Sequence, residues 1–376
     1  MASAVQVVVI GHSCVIPPNQ AIYAAAASHA DLRLTLIAPA RWNSSLHGPV
    51  EFRPLPQLAE QALPLPVRFS GDLHLHMYPA LEAVLRRLRP DVVFLDEDPH
   101  SLVAWQVARL QKSLGFRLVI ALRQNVYRRY PPPFDWIERD VLRNAHSAAA
   151  TSQECLDVAR RKGYGGEATI VYYPIDTELF TPPEVRQPAR PFTVGYAGRL
   201  VRSKGLDCLI AACQRAQLEE SDLRLLIVGD GPERERLRAL AGRWLRPGSV
   251  TWRPSVRQEE MTRTYHEMDV VVLPSLTTRR WKEQFGRVLG EAMACGVPVL
   301  GSSSGFIPEL IRVTGGGMVF PEGDPQTLAR LLIVMAREPL HRRQLGEAGR
   351  AGVLAHYSLP VLARRVHDLL WRAGSG

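Results

Sequence analysis

Five cysteines are scattered along the chain, and no two stand in the CxxC spacing of a metal or redox site. Cys14, Cys155, Cys208, Cys213 and Cys295 sit in apolar stretches, so reduced, buried thiols and a cytoplasmic location are expected. No apolar run approaches the roughly 18 residues of a membrane-spanning helix. The opening MASAVQVVVIGH has no basic segment ahead of its apolar run, and that run is strand-sized rather than signal-sized. No aromatic-and-basic motif of a nucleic-acid-binding module is present, which leaves nucleic acid without support as a partner.

What is present suits two domains of moderate size in 376 residues, with ordinary shares of hydrophobic (46%) and charged (22%) residues. The net charge of +9 is uneven. Residues 1–185 hold 18 Lys+Arg and 18 Asp+Glu, whereas residues 186–376 hold 28 and 19, so the second half carries the whole excess. Such a half could hold an anionic ligand, touch an acidic membrane surface, or simply stay soluble.

Strands and helices alternate through both halves. VQVVVIG (5–11), LRLTLIAP (32–39), PDVVFLDED (90–98), FRLVIALRQN (116–125), SAAATS (147–152) and ATIVYYP (168–174) read as strands with helix-length segments between them. TPPEVRQPARP (181–191) breaks the alternation as a linker. FTVGYAG (192–198), LRLLIVGDG (223–231), SVTWR (249–253), DVVVLPS (269–275), VPVLGSS (297–303) and GGMVF (316–320) restart it. Strands of this composition indicate parallel sheets covered on both faces. The expectation is α/β, with two Rossmann-like doubly wound domains, 1–185 and 186–376, facing across a cleft. A last amphipathic helix, about 360–372, is free to pack back on the first domain. Ligands in such sheets sit beyond the carboxyl ends of the strands.

Four strand-end segments of the second half stand out. In GYAGRLVRSKGLDCLI (195–210), Gly198 allows a turn, and Arg199 and Lys204 place two cations by a helix start near Gly205. That suits a diphosphate, or equally a basic surface turn. IVGDGPERERL (227–237) is a tight strand-to-helix turn and lacks the GxGxxG fingerprint. WKEQFGRVLGEAMACGVPVLG (281–301) puts Glu283 in a loop, then Phe285 and Gly286 at a helix start, then Glu291 about 7.5 Å further along the axis. Two carboxylates flanking an anion-binding helix start can serve different hydroxyls of one elongated ligand. Glu259 and Glu267 have the same spacing inside an ordinary amphipathic helix, so the setting carries the argument and the spacing does not. SSSGFIPELI (302–311) supplies one more strand-to-helix junction, with Gly305 and Glu309 around Pro308.

Taken in order, these segments resemble the retaining family-4 glycosyltransferases of the GT-B fold. The resemblance implies that Arg199 and Lys204 hold the donor diphosphate, Glu291 the ribose, and Glu283 the hexose. The backbone of Phe285 and Gly286 would lie against sugar and phosphate. It implies a nucleotide-sugar donor, here expected to be UDP-linked, with no cofactor and no metal; no Asp-x-Asp motif is placed for a donor, since DED (96–98) lies in the other domain. VYYPIDTELF (171–180) looks like the family's interdomain segment, with Tyr173-Pro174 replacing its usual Asn-Gly. In GHSCVIPPNQ (11–20) only Gly11 remains of a Gly-Gly loop, and Arg123, Gln124 and Asn125 stand where many members carry a histidine.

By the same resemblance the first domain takes the acceptor, a sugar, lipid-linked or small-molecule hydroxyl, with peripheral membrane association compatible. Its strand-end residues are His12, Glu97, Asp98, His100, Arg123, Asn125 and Arg128. LDEDPH could bond a sugar hydroxyl or form a solvated loop, His12 could meet the acceptor or be a structural loop residue, and YRRYPPPFDW could bind an anion or be a rigid surface loop. The expected reaction is hexosyl transfer with retention. A nucleotide-sugar epimerase of the same fold and a non-catalytic nucleotide-sugar-binding protein are the alternatives.

Overall fold

A strand of Val, Ile and Leu can bury both faces only where helices cover each side of its sheet. The computed structural model, which describes residues 4–44, 48–184 and 190–375, holds two such sheets. Two compact units result: Met1–Tyr172 with Leu359–Gly376, and Tyr173–Ser358. The boundary read at 185/186, like residues 185–189 of the Pro-rich segment, lies outside the described residues; the units divide after Tyr172.

The first unit runs β1 (Val5–Ile10), α1 (Ala21–Ala26), β2 (Leu32–Pro39), β3 (Arg41–Ser44), β4 (Gly48–Glu51), β5 (Ala62–Leu65), α2 (Leu81–Leu88) and β6 (Val92–Leu95). It continues with α3 (Leu102–Leu114), β7 (Arg117–Leu122), α4 (Phe134–Asn144), β8 (Ser147–Ala150), α5 (Gln153–Arg161) and β9 (Glu167–Ile170). Seven of these strands form a parallel sheet in the order β5-β2-β1-β6-β7-β8-β9, and β3 and β4 make a separate antiparallel hairpin. The two-residue period of β1 divides the core: Val8 and Ile10 join the cluster built with α2, α3 and α4, while Val7 and Val9 join the one on the opposite face.

The second unit runs β10 (Thr193–Ala197), α6 (Leu206–Ala216), β11 (Arg224–Val228), α7 (Arg234–Trp244), β12 (Val250–Arg253), α8 (Gln258–His266) and β13 (Val270–Leu273). Then come α9 (Arg287–Ala294), β14 (Val299–Ser302), α10 (Ile307–Thr314), β15 (Gly317–Phe320), α11 (Pro325–Arg337) and α12 (Pro339–His356). Its sheet is parallel, in the order β12-β11-β10-β13-β14-β15. The final helix, α13 (Leu359–Ser375), belongs to the first unit, where Val366, Leu369, Leu370 and Ala373 are buried beside Val7 and Val9. Each buried Val or Leu contributes about 1.5–3 kcal/mol, which fixes α13 to that sheet. Among the described residues no helix is long and apolar enough to cross a membrane.

Chain order reverses at β1 and β6 in one sheet and at β10 and β13 in the other. The crevice beyond the carboxyl ends of such a strand pair is where doubly wound sheets bind ligands.

Candidate active site

In the second unit the reversal point is built from the ends of β10 and β13. Beyond β10, Gly198 turns the chain with φ 146, and the buried Tyr196 hydroxyl donates to the Arg199 carbonyl at 2.9 Å. The Arg199 side chain is exposed, and its guanidinium has no hydrogen bond or ion pair among the described residues. Lys204 ends a short 3-10 turn, Arg202–Lys204, and Gly205 caps α6 with φ 65. A Cβ at Gly205 would stand 2.0 Å from the Pro274 carbonyl oxygen, so only glycine lets this turn pack on the end of β13.

That packing delivers Lys204 Nζ to within 2.6 Å of Glu283 Oε2. Ser275, just past β13, donates to the same oxygen at 2.7 Å, and the Trp281 ring lies 5.0 Å from Nζ. Glu283 is buried, in a loop before α9 as its sequence setting implies. Its backbone is fixed from the next loop, because the Phe306 amide donates to the Glu283 carbonyl at 3.1 Å. Gly305, at φ 53, passes so close that a Cβ would lie 2.0 Å from that carbonyl oxygen. The sequence places two cations at this edge; the structure leaves only the Arg199 guanidinium unpaired, because folding brings Lys204 onto Glu283.

Gly286 caps α9 with φ 74. The Phe285 ring turns inward, with ring centroids of Phe306, Tyr173 and Tyr357 at 5.5, 5.7 and 5.7 Å. What Phe285 can offer a ligand is therefore its backbone. Glu291 is buried in α9 and accepts from the Tyr265 hydroxyl at 2.7 Å. Burial raises its pKa above the ordinary carboxylate value, against the lowering effects of the Tyr265 hydrogen bond and the Arg287 charge. Only half of the equally spaced pair is a solvated helix residue: Glu259 is exposed in the first turn of α8, whereas Glu267 lies just past that helix, half-buried, and accepts from both Arg253 terminal nitrogens.

The first unit builds its reversal point from the ends of β1 and β6. Both the backbone amide and Nδ1 of His12 lie 2.5 Å from Glu97 oxygens, and His76 Nε2 lies 3.3 Å from Glu97 Oε1. Trp42 walls this group, 4.8 Å from the His12 ring and 5.1 Å from His76. Burial alone would raise the Glu97 pKa, but the charge and hydrogen bond of His12, with the His76 imidazole close by, hold it down at about 2. Burial likewise opposes protonation of His12, and Glu97 outweighs it, leaving the imidazole pKa raised. Asp96 is buried and pairs with Arg123, and Asn125 is buried beside that strand end. The acidic run is thus an ordered network rather than a solvated loop, and His12 is not a lone histidine.

Asp98, His100 and Arg123 line a small cleft of about 20 Å³ with Gln124, Glu138 and Lys162. His100 stacks on Tyr130 at 3.9 Å and meets His74 at 2.9 Å; burial lowers its pKa to about 4. His12, His76 and Glu97 are the one group among the described residues with metal-ligand atoms within 4.8 Å of one another. The 2.5 Å between His12 Nδ1 and Glu97 Oε2 is hydrogen-bond contact. Two ligands of one zinc ion stand roughly 3.3 Å apart, given bonds of about 2.0–2.1 Å, so the present geometry is that of a hydrogen-bonded network.

Residues 180–352 match the family described as Glycosyl transferases group 1, and residues 19–175 match the Glycosyl transferase 4-like domain. The chain belongs to the group 1 glycosyltransferases. A GDP-mannose-dependent monoacylated alpha-(1-6)-phosphatidylinositol monomannoside mannosyltransferase of Corynebacterium glutamicum is 32% identical over 224 residues, 56% of this chain and 58% of that protein. A D-inositol 3-phosphate glycosyltransferase of Streptomyces bingchenggensis is 31% identical over 217 residues, 53% of this chain and 46% of that protein. The matched stretch spans about half the length of these curated relatives. The structure of HepE from Anabaena in complex with UDP is 17% identical, covers 97% of this chain and 99% of that one, and superposes with a TM-score of 0.75. That likeness carries the fold, which is GT-B.

The sequence singles out Arg199, Lys204, Glu283 and Glu291 as candidates, but not Ser275, Trp281 and Tyr265, which the structure sets against Glu283, Lys204 and Glu291. In the first unit the sequence does not single out Trp42, His74 and His76. The alternating histidines of HLH (74–76) were the available signal.

Proposed function

We propose that the chain is a glycosyltransferase that moves a hexose from a nucleoside-diphosphate donor to a hydroxyl acceptor with retention, without a divalent ion at the leaving group. The observation that carries this reading is the Lys204–Glu283–Ser275 cluster at the β10/β13 reversal point, beside the unpaired Arg199. Arg199 and Lys204 would stabilise the departing diphosphate, a charge that grows as the bond breaks. The bond from the sugar C1 to the diphosphate oxygen breaks with its electron pair on that oxygen. The acceptor hydroxyl forms the new bond on the same face, and its proton passes to the departing phosphate. Glu283 would hold the hexose hydroxyls, Glu291 the ribose, and the first unit the acceptor.

Two donor bases have support. UDP is the expectation from the family resemblance, and it is the ligand named for HepE; the C. glutamicum relative is named for GDP-mannose. Calorimetry with UDP and GDP separates them, and the preferred nucleotide's sugars are then assayed for diphosphate release with and without candidate acceptors. Donor alone should give only slow hydrolysis. An epimerised sugar recovered from that incubation would overturn transfer in favour of epimerisation.

A further inference from the structure

Residues 1–185 balance their charges, 18 against 18, yet one pocket of the first unit does not. It is an open concavity of about 330 Å³ between α4, the end of α5 and the loop after β7. Six cations line it (Arg128, Arg129, Arg139, Arg143, Arg161 and Lys162), against two carboxylates, an excess of four positive charges. Both carboxylates are already engaged: Asp135 with Arg139 at 2.5 Å and Glu138 with Lys162 at 2.8 Å. Arg161 lies 4.5 Å over the Tyr127 ring, and Arg129 also bonds that tyrosine. The guanidinium groups of Arg128 and Arg143 make no hydrogen bond or ion pair among the described residues.

Like charges gathered in one concavity repel one another, and an anion entering it relieves that repulsion. Five of the six cations are arginines, whose planar forks match phosphate oxygens two at a time. The pocket is also continuous in its lining with the one beside Asp98, His100 and Arg123, since Glu138 and Lys162 line both. We infer that this pocket binds a phosphate group, and, resting on the proposed function for the first unit as the acceptor side, that the acceptor is a phosphate-bearing molecule. The phosphate could belong to a soluble ester or to a lipid headgroup, and the two are separable.

The test uses the full chain carrying Arg199→Ala, which disables the donor-side cation, with and without Arg128→Glu and Arg143→Glu together. One arm is calorimetry with inorganic pyrophosphate; the other is flotation with phosphatidylinositol-containing vesicles. Both are run near about 150 mM salt, where surface charges more than roughly 8 Å apart are screened. Arg33→Glu with Arg87→Glu, two exposed arginines of the first unit outside the pocket, applies the same change of charge elsewhere. The expected result is binding in at least one arm, weakened about tenfold or more by the pocket pair and little by the control pair. Pyrophosphate binding points to a soluble ester, and vesicle binding alone points to a lipid. Binding in neither arm, or equal loss in both variant pairs, overturns the inference. Nucleoside-diphosphate affinity of the chain with Arg199 intact is measured beside these; its absence would sink the donor reading and leave this pocket standing.

Discussion

Lys204 and Glu283 lie 79 residues apart in the chain and meet at 2.6 Å, both largely buried, with Ser275 holding the same carboxylate oxygen. The pair closes the turn after β10 against the end of β13, and under the proposed function it would also set a cation and an anion beside the sugar diphosphate. Arg199, by contrast, is exposed and unpaired.

The two cations should therefore fail in different ways. Lys204→Ala leaves a buried carboxylate without its counter-charge, a change that costs about 3 kcal/mol. Arg199→Ala should leave the melting temperature within error while slowing transfer about tenfold or more. Thermal melts beside a diphosphate-release assay check this. Equal melting temperatures for both variants would mean that the ion pair is not a structural element.

Glu283 and Glu291 should divide the donor between them. Glu291→Gln should weaken free nucleoside diphosphate as well as nucleotide sugar, because both contain ribose. Glu283→Gln should spare nucleoside-diphosphate binding while transfer falls about tenfold, the scale of one charged hydrogen bond. Glu259→Ala should change neither. Calorimetry on the three variants decides, and loss of nucleoside diphosphate in Glu283→Gln would end the assignment.

The strands of both sheets were legible because buried parallel strands are continuous Val, Ile and Leu runs, as in VQVVVI and LRLLIV. β5 was not. It is a four-residue edge strand, ALPL, whose Pro64 interrupts the pattern and is tolerated because an edge strand has an unpaired side. Glu283 was legible from its place before a helix start. Its pairing with Lys204 was not, because adjacency of β10 and β13 brings the two together and no local pattern encodes that. His76 escaped for the same reason: it reaches Glu97 from a segment without regular structure.

Gly305→Ala probes the positioning of Glu283 without touching its charge. The new methyl would meet the Glu283 carbonyl oxygen at 2.0 Å in a backbone at φ 53 that alanine disfavours, so the loop must move. Transfer should drop about tenfold or more, as misplacement of a reacting group by ~1 Å can cost a hundredfold. Free nucleoside diphosphate should still bind. A fully active variant would show that the 304–306 loop does not set the Glu283 position.

Chelation tests the leaving-group chemistry. If Arg199 and Lys204 carry the diphosphate charge, nucleoside-diphosphate affinity and turnover should persist in EDTA, and added Mg²⁺ should change them little. Abolition by EDTA with restoration by one specific ion would transfer that role to a metal.

The last prediction concerns α13 and pH. His367 Nε2 lies 3.0 Å from Asp31 and Nδ1 3.0 Å from Asp368, with the His29 ring 4.3 Å away. Burial works against its charged form, but the two carboxylates outweigh burial and raise its pKa above the ordinary 6.5. A raised histidine pKa means that the folded state holds the proton more tightly than the unfolded chain does. The stabilisation is then fully present below the unfolded value and is lost as pH rises through the folded one. The His29 ring packs against the same imidazole, so the window is read best in a chain that carries His29→Gln. In that background His367→Gln should lower the melting temperature at about pH 5.5 and make little difference near pH 9. A difference of the same size at both pH values would mean that packing of the ring, not its charge, ties α13 to the first unit.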